Sequence, residues 1–196
     1  MRDMVHFLFE VGILKSIPRS GYQFLGSGSE SVAEHTFRVA VIAYLLAKHE
    51  PKADMQKVLL MSLFHDFHEA RTGDHNYVNK RYVTVNEDKA VRDLAQKLPF
   101  GQEIISLIDE FNSRETPEAR LSQDADQLDF ILELKRQLDL GNKSAAEWLR
   151  YAVKRLITDF AKKLADEIIK TGSSDWWFKK NEELWVKGPD RINQHE

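Results

Sequence analysis

The segment LLMSLFHDFHEARTGD, residues 59–74, puts His65 and Asp66 directly behind an apolar run, where a helix would be entering a core. Glu69 follows four residues after His65, a spacing that sets both on one helix face. His35 stands at the start of a second apolar stretch, AEHTFRVAV. Asp124, Asp126 and Asp129 interrupt a third, LSQDADQLDFILELK. A carboxylate is costly to bury without a cation or a dense set of hydrogen bonds. Asp126 and Asp129 can share a face, while Asp124 points elsewhere; Asp124, and with it Asp129, reads as solvated. Two imidazoles and two carboxylates drawn from three helices would suit Mn, Fe, Co, Ni or Zn. Such an ion would lower the pKa of a bound water and polarise an electrophile.

For these side chains to meet, the helices that carry them must pack together. Ser31 followed by Glu34 has the capping-box spacing and starts a helix that runs to Glu50–Pro51. Val32, Phe37, Val39, Ala40, Ile42, Ala43, Leu45 and Leu46 give it an apolar face wide enough for a helix covered on several sides. Residues 54–70 read as the next helix, stopped by Gly73. A first short helix over 4–15 ends before Pro18, and SIPRSGYQFLGSGSES, residues 16–31, reads as a loop anchored by Tyr22, Phe24 and Leu25. After an irregular stretch at 74–83, helices are expected over 84–98, 102–112, 119–139 and 144–170, the last ending at Gly172. No strand-like alternation is sustained and no repeat is evident. The expected architecture is all-α, a single-domain helical bundle over residues 1–186 with a polar tail at 187–196. Trp176, Trp177 and Trp185 are expected to pack the terminal segment against the bundle.

Composition narrows the function. The 196 residues carry 28 Lys and Arg against 31 Asp and Glu, a net charge of -3, and no cysteine. Disulfides, thiolate-bound zinc, iron–sulfur clusters and a cysteine nucleophile are excluded. A balance this even gives no reason to expect a nucleic-acid partner. No long uncharged apolar run suggests a membrane span. MRDMVHFLFEVGIL is broken by Asp3, His6 and Glu10 and does not read as a secretory leader, so a cytoplasmic location is expected.

His35, the adjacent His65–Asp66 pair and the distant Asp126 resemble the H…HD…D signature of the HD-domain metal-dependent phosphohydrolases. SIPRSGYQF, ESVAEHTFRVAVIAYLLA, HDFHEARTGD and DADQLDFILE, taken in order, are similar to the 5'-deoxynucleotidase branch, over residues 4–170. The resemblance implies an HD-type all-α fold, often a homodimer or higher homo-oligomer. It implies removal of the 5'-phosphate from deoxyribonucleoside monophosphates with one divalent transition metal per site. It also implies His35, His65, Asp66 and Asp126 as metal ligands, Glu69 as the catalytic glutamate, Asp74 beside the substrate sugar and Arg19 at the phosphate. The family commonly has Trp shortly after this arginine. Here Tyr22 is the nearest aromatic, expected on the base side of the substrate.

A phosphate monoester is doubly anionic near neutral pH, so attack on it needs charge neutralisation and in-line placement. Glu69 would hold the attacking water, take its proton, or relay a proton to the departing 5'-oxygen. Arg19 offers a planar fork for two phosphate oxygens. Arg38 and Lys80 or Arg81 are further phosphate candidates, and Asp74 would accept a hydrogen bond from the sugar 3'-hydroxyl. His68 and His75 are expected among outer hydrogen bonds rather than as ligands. Two other functions compete. An HD-type hydrolase of a triphosphate, a hyperphosphorylated guanine nucleotide or a cyclic dinucleotide would want more basic surface than Arg19 supplies. A non-catalytic, metal-stabilised nucleotide-binding protein would need neither Glu69 nor Asp74.

Overall fold

The computed structural model describes residues 1–178 and Trp185, and the expected tail at 187–196 lies outside them. In chain order the helices are α1 (Arg2–Gly12), α2 (Tyr22–Leu25), α3 (Val32–His49), α4 (Met55–Phe64), α5 (Glu69–Thr72), α6 (Glu87–Ala95), α7 (Gly101–Ser113), α8 (Pro117–Asp139), α9 (Ser144–Ala152) and α10 (Asp159–Lys170). Short 3₁₀ turns lie at Ile13–Ser16, Asn79–Arg81 and Val153–Arg155. Among the described residues there is no strand; one isolated bridge pairs Pro18 with Ser31.

Three helices form the frame. α3 starts where expected: the Ser31 side chain accepts from the Glu34 N–H and the Glu34 side chain accepts from the Ser31 N–H. α8 starts at Pro117 behind Thr116, whose hydroxyl accepts from the Ala119 N–H. α3, α4 and α8 pack on one another in all three pairs. Their shared core holds Val39, Ile42, Ala43 and Leu46 from α3, Val58 from α4, and Leu121, Ala125, Leu128, Ile131 and Leu134 from α8. A second core, with Leu14, Val32, Val91, Leu94, Ile104 and Ile108, seats α6 and α7 against the start of α3. Gly101 opens α7 because nothing larger fits: a Cβ there would stand 1.9 Å from the Ala95 carbonyl oxygen.

Two expected helices are interrupted. The 54–70 helix stops at Phe64, and the chain tightens into i→i−3 bonds from Phe67 to Phe64 and from Glu69 to Asp66, both 3.0 Å, before α5. Residues three apart eclipse in such a turn, so Glu69 aligns with Asp66 rather than with His65. The 144–170 helix breaks around Leu156–Thr158. There Asp124, fully buried instead of solvated, accepts from the Ile157 N–H at 2.7 Å and the Thr158 N–H at 2.8 Å. The Thr158 hydroxyl then caps α10. The buried carboxylate thus satisfies the backbone donors that a new helix start exposes.

Other expectations change at the surface. α3 is not covered all round: Phe37 is 72% exposed, and Val41, Tyr44 and Leu45 are exposed with it. In the 16–31 loop Leu25 is buried and Tyr22 packs on the main core, but Phe24 is exposed. Trp176, Trp177 and Trp185 stay exposed instead; Trp177 and Trp185 stand 6.2 Å apart between ring centroids and group with Phe178.

Candidate functional site

His35 lies in the first turns of α3, His65 just past the end of α4 with Asp66 behind it, and Asp126 midway along α8. The packing of these helices brings ligand atoms of His35, His65 and Asp126 within 4.8 Å of one another, with Asp66 beside both imidazoles. His35 Nε2 is 3.1 Å from Asp126 Oδ1 and 3.7 Å from Asp66 Oδ2. His65 Nε2 is 3.1 Å from Asp66 Oδ2 and 4.0 Å from Asp126 Oδ1. Two donors each about 2.1 Å from one ion and at right angles lie about 3 Å apart, so these separations match a shared cation. Both Nε2 atoms are buried without a well-directed hydrogen bond. Donor type, convergence and orphaned nitrogens therefore fit a divalent ion. Asp126, with its side chain one-third exposed, forms the open edge.

The opposite ring nitrogens are occupied. His65 Nδ1 is 2.9 Å from the Ser62 carbonyl oxygen, and His35 Nδ1 is 2.6 Å from Asp129 Oδ2. Asp129, expected to be solvated, is 1% exposed. It is tolerated in the interior because Arg38 Nε bonds its other oxygen. Arg38, a phosphate candidate in the sequence, directs its guanidinium instead at Asp129, Glu30 and Glu133.

The electrostatics divide the carboxylates into two kinds. Burial works against ionised Asp66, but His65, Arg19 and His35 outweigh it and hold Asp66 well below the usual range. Asp126 is likewise held low, burial being outweighed by His35 and His65. Burial and Arg19 would lower His35, yet Asp126 and Asp129 raise it to about 9. Glu69 is the exception. Burial, then Asp66 and Asp74, push it up to about 9, and its Oε2 is buried without a partner. The site thus sets ionised carboxylates beside a carboxylic acid, the pattern expected where one group handles protons.

Arg19 closes the other side. Its loop is pinned at the base by bonds from Arg19 N–H to the Glu30 carbonyl and from Val32 N–H to the Ile17 carbonyl, both 2.9 Å. Arg19 Nη1 lies 3.3 Å from Asp66 Oδ2 and 4.0 Å from Asp74 Oδ1. Asp74 follows Gly73, whose φ of 73° turns the chain back, and it also accepts from the Ser20 N–H. Asn76 completes the clamp: its amide donates to the Ser20 carbonyl at 3.3 Å and the Ser20 hydroxyl at 3.1 Å, while its oxygen accepts from the Val78 and Asn79 N–H groups. Sequence reasoning did not single out Asn76; the signal was an asparagine two residues after Gly-Asp, where side-chain-to-backbone turns form.

Tyr22 is not brought to this group. Its ring packs on the main core, and its buried hydroxyl lies among Glu30, Glu133 and Arg38. Lys80 and Arg81 sit on the exposed turn after Asn79. His68 Nε2 is 3.8 Å from Glu87, and His75 Nε2 is 2.9 Å from the Thr72 carbonyl oxygen, which leaves both outside the cluster.

Comparison with known proteins adds the family. The profile described as an HD domain matches residues 11–168. The 5'-deoxynucleotidase HDDC2 of Bos taurus is 32% identical over 148 residues, covering 72% of this chain and 71% of that protein. The 5'-deoxynucleotidase hdd1 of Schizosaccharomyces pombe is 30% identical over 142 residues, covering 67% and 71%. A conserved hypothetical protein from Pyrococcus furiosus superposes with a TM-score of 0.74 at 29% identity, over 85% of this chain and 99% of that one.

Proposed function

The chain belongs to the HD-domain family, and from that premise we propose that it is a phosphoric monoester hydrolase acting on nucleoside 5'-monophosphates, with deoxyribonucleotides favoured. The relatives named 5'-deoxynucleotidase support the substrate class. The observation that carries the reading is Glu69: a buried carboxyl pushed up to about 9, with a free oxygen, beside ionised Asp66 and the Arg19 guanidinium. A protein that used its metal only for stability would have no need of such a group.

His35, His65, Asp66 and Asp126 would hold one divalent ion of the Mn, Fe, Co, Ni or Zn group, which supplies charge neutralisation and a water of lowered pKa. Arg19 takes the phosphate oxygens, its planar fork already steered by Asp66 and Asp74. Glu69 Oε2 takes or gives the proton between water and the departing 5'-oxygen. A bound divalent ion would favour ionised Glu69 and lower it from its raised value, which suits a carboxyl that both takes and gives a proton. Asp74 holds the Arg19 loop through Ser20 and turns its remaining acceptor capacity to the sugar hydroxyl. Tyr22, turned inward, supports the loop from beneath instead of stacking on a base. The exposed strip Phe37, Val41, Tyr44 and Leu45 on α3 is the surface on which a homodimer would close. No helix among the described residues is long and apolar enough to cross a membrane.

Among the described residues Arg19 is the basic side chain in contact with Asp66 and Asp74, and a single arginine there favours a monophosphate over a polyphosphate substrate. The test is phosphate release by metal-stripped protein with Mn, Co, Ni, Zn or Mg restored singly. Deoxy- and ribonucleoside 5'-monophosphates would be compared with 3'-monophosphates and triphosphates. Metal-restored release confined to 5'-monophosphates, faster for deoxy sugars, is expected. No release from any monophosphate by folded, metal-loaded protein would reject the reading.

A further inference from the structure

His35 and His65 converge on the same spot, but their far nitrogens meet different partners. His65 faces a neutral backbone carbonyl at 2.9 Å. His35, fully buried, faces the carboxylate of Asp129 at 2.6 Å. That carboxylate is itself fixed, since Arg38 takes its second oxygen through Nε and its backbone carbonyl through Nη2 at 3.4 Å. The arrangement is built by helix periodicity. His35 and Arg38 are three apart on α3, and Asp126 and Asp129 are three apart on α8. Two side chains of one helix thus meet two of the other across a packed interface.

We propose that Asp129, held by Arg38, is a positioning residue that fixes His35 as a cation ligand and sets how tightly the site binds its ion. The proposal rests on the metal-dependent reading above. With Nδ1 engaged by Asp129 Oδ2, Nε2 is the ring nitrogen left to face Asp66 and Asp126 and to ligate an ion. A charged acceptor also makes the ring a stronger donor to a cation than a carbonyl does. Arg38 has two tasks. It balances a charge that could not stay buried alone. It also occupies Oδ1, so the carboxylate cannot swing into the cluster and ligate directly. Glu30, His35 and Asp129 themselves bring ligand-type atoms within 4.8 Å of one another. The Arg38 guanidinium bonds both carboxylates of that second group, which makes it a charge-paired support rather than another cation site.

The experiment compares wild type, Asp129→Asn and Asp124→Asn. Asparagine has one acceptor oxygen for the two donors, His35 and Arg38, that Asp129 serves. Asp124 is an equally buried carboxylate of α8 that holds the α10 start, so its variant reports general damage to the helix. Binding of Mn2+ is measured by competition with a fluorescent chelator, and ligand geometry by the visible spectrum of the Co2+ form. Asp129→Asn should weaken Mn2+ binding roughly 10- to 100-fold and change the Co2+ spectrum. Asp124→Asn should lower the melting temperature and leave both readouts unchanged. Wild-type Mn2+ affinity and Co2+ spectrum in Asp129→Asn would overturn the proposal. Failure of wild type to bind Mn2+, Co2+ or Zn2+ would overturn the metal reading itself, a distinct result. If Asp129→Asn does not fold, 15N NMR of histidine side chains in Zn2+-loaded wild type decides. The proton should be on His35 Nδ1 and the metal on Nε2; the reverse assignment would overturn the proposal.

Discussion

Glu69→Gln tests the electrostatics of the site without a change of shape. In the metal-free protein Glu69 is pushed from 4.5 up to about 9, by burial first and then by Asp66 and Asp74. A folded-state value above the unfolded one means that folding takes up a proton between the two. The stability this carboxyl contributes is therefore fully present below pH 4.5 and is lost as the pH rises through 9. Each pH unit in that window removes about 1.4 kcal/mol, so by pH 7 the loss is about 3 kcal/mol. Glutamine mimics the protonated acid and carries no such loss. Metal-free Glu69→Gln should thus melt roughly 6–12 °C above wild type at pH 7 for a chain of this size. The gap should vanish toward pH 4.5 and widen toward pH 9.

Differential scanning fluorimetry of chelator-treated protein across that range reads the gap directly. Added Mn2+ should narrow it, because a nearby divalent charge favours ionised Glu69 in the wild type. The same variant should keep its Mn2+ and lose roughly 10²- to 10⁴-fold in turnover. A gap that does not change with pH, or a wild type more stable than the variant at pH 7, would refute the reasoning. Glu69 would then be ionised in the folded protein like its neighbours, and the division of the site into ionised and protonated acids would fail with it.

Four further outcomes are expected. Asp126→Asn should lose bound metal and activity together, as measured by elemental analysis and phosphate release; wild-type metal content would exclude it as a ligand. Arg19→Lys keeps the charge but loses the fork, and kcat/KM for a 5'-monophosphate should fall roughly 10- to 100-fold. Asn76→Ala frees the Ser20 turn from its clamp, and KM should rise roughly fivefold with metal content unchanged. Gly101→Ala drives a methyl group into the Ala95 carbonyl and should cost about 3 kcal/mol in a denaturant titration, while the folded fraction keeps its metal stoichiometry.

The helices that matter most were legible because their ends are written in side chains. The Ser31–Glu34 box stands in the sequence and in the structure alike, and Gly73 does end a helix, although that helix is the short α5 and not a continuous 54–70 run. The misread ends have causes that act at a distance. Nothing local in residues 144–170 announces that Asp124, over thirty residues earlier, will take two backbone donors there; Thr158 was the visible half of that signal. The tightening after Phe64 was hidden for another reason. HDFHEAR is compatible with an α-helix, and the Arg19–Asp66 contact that accompanies the turn exists only after the early loop has packed. The exposed aromatics of α3 mark the opposite limit: an apolar face shows that something is to be buried, and says nothing of whether this chain or another buries it.

The candidate site was legible in the side chains that converge and not in those that support them. His35, His65, Asp66 and Asp126 are polar groups in apolar surroundings, and that conflict can be read in one dimension. Asp129 presented the same conflict, but judged singly it passed for surface. Its meaning lies in a line: Ser122, Asp126, Asp129 and Glu133 recur on α8 at helical spacing, a polar stripe beside the helix's buried apolar positions. Three of the four are buried, and Asp126 is partly so. Such a stripe cannot stay buried unless a facing helix supplies matching groups. α3 does so with His35 and Arg38, three residues apart in the same register. One lone carboxylate on a helix is ambiguous between surface and site. A buried row of them requires a partner row, and here the two rows meet at the point where the histidines converge.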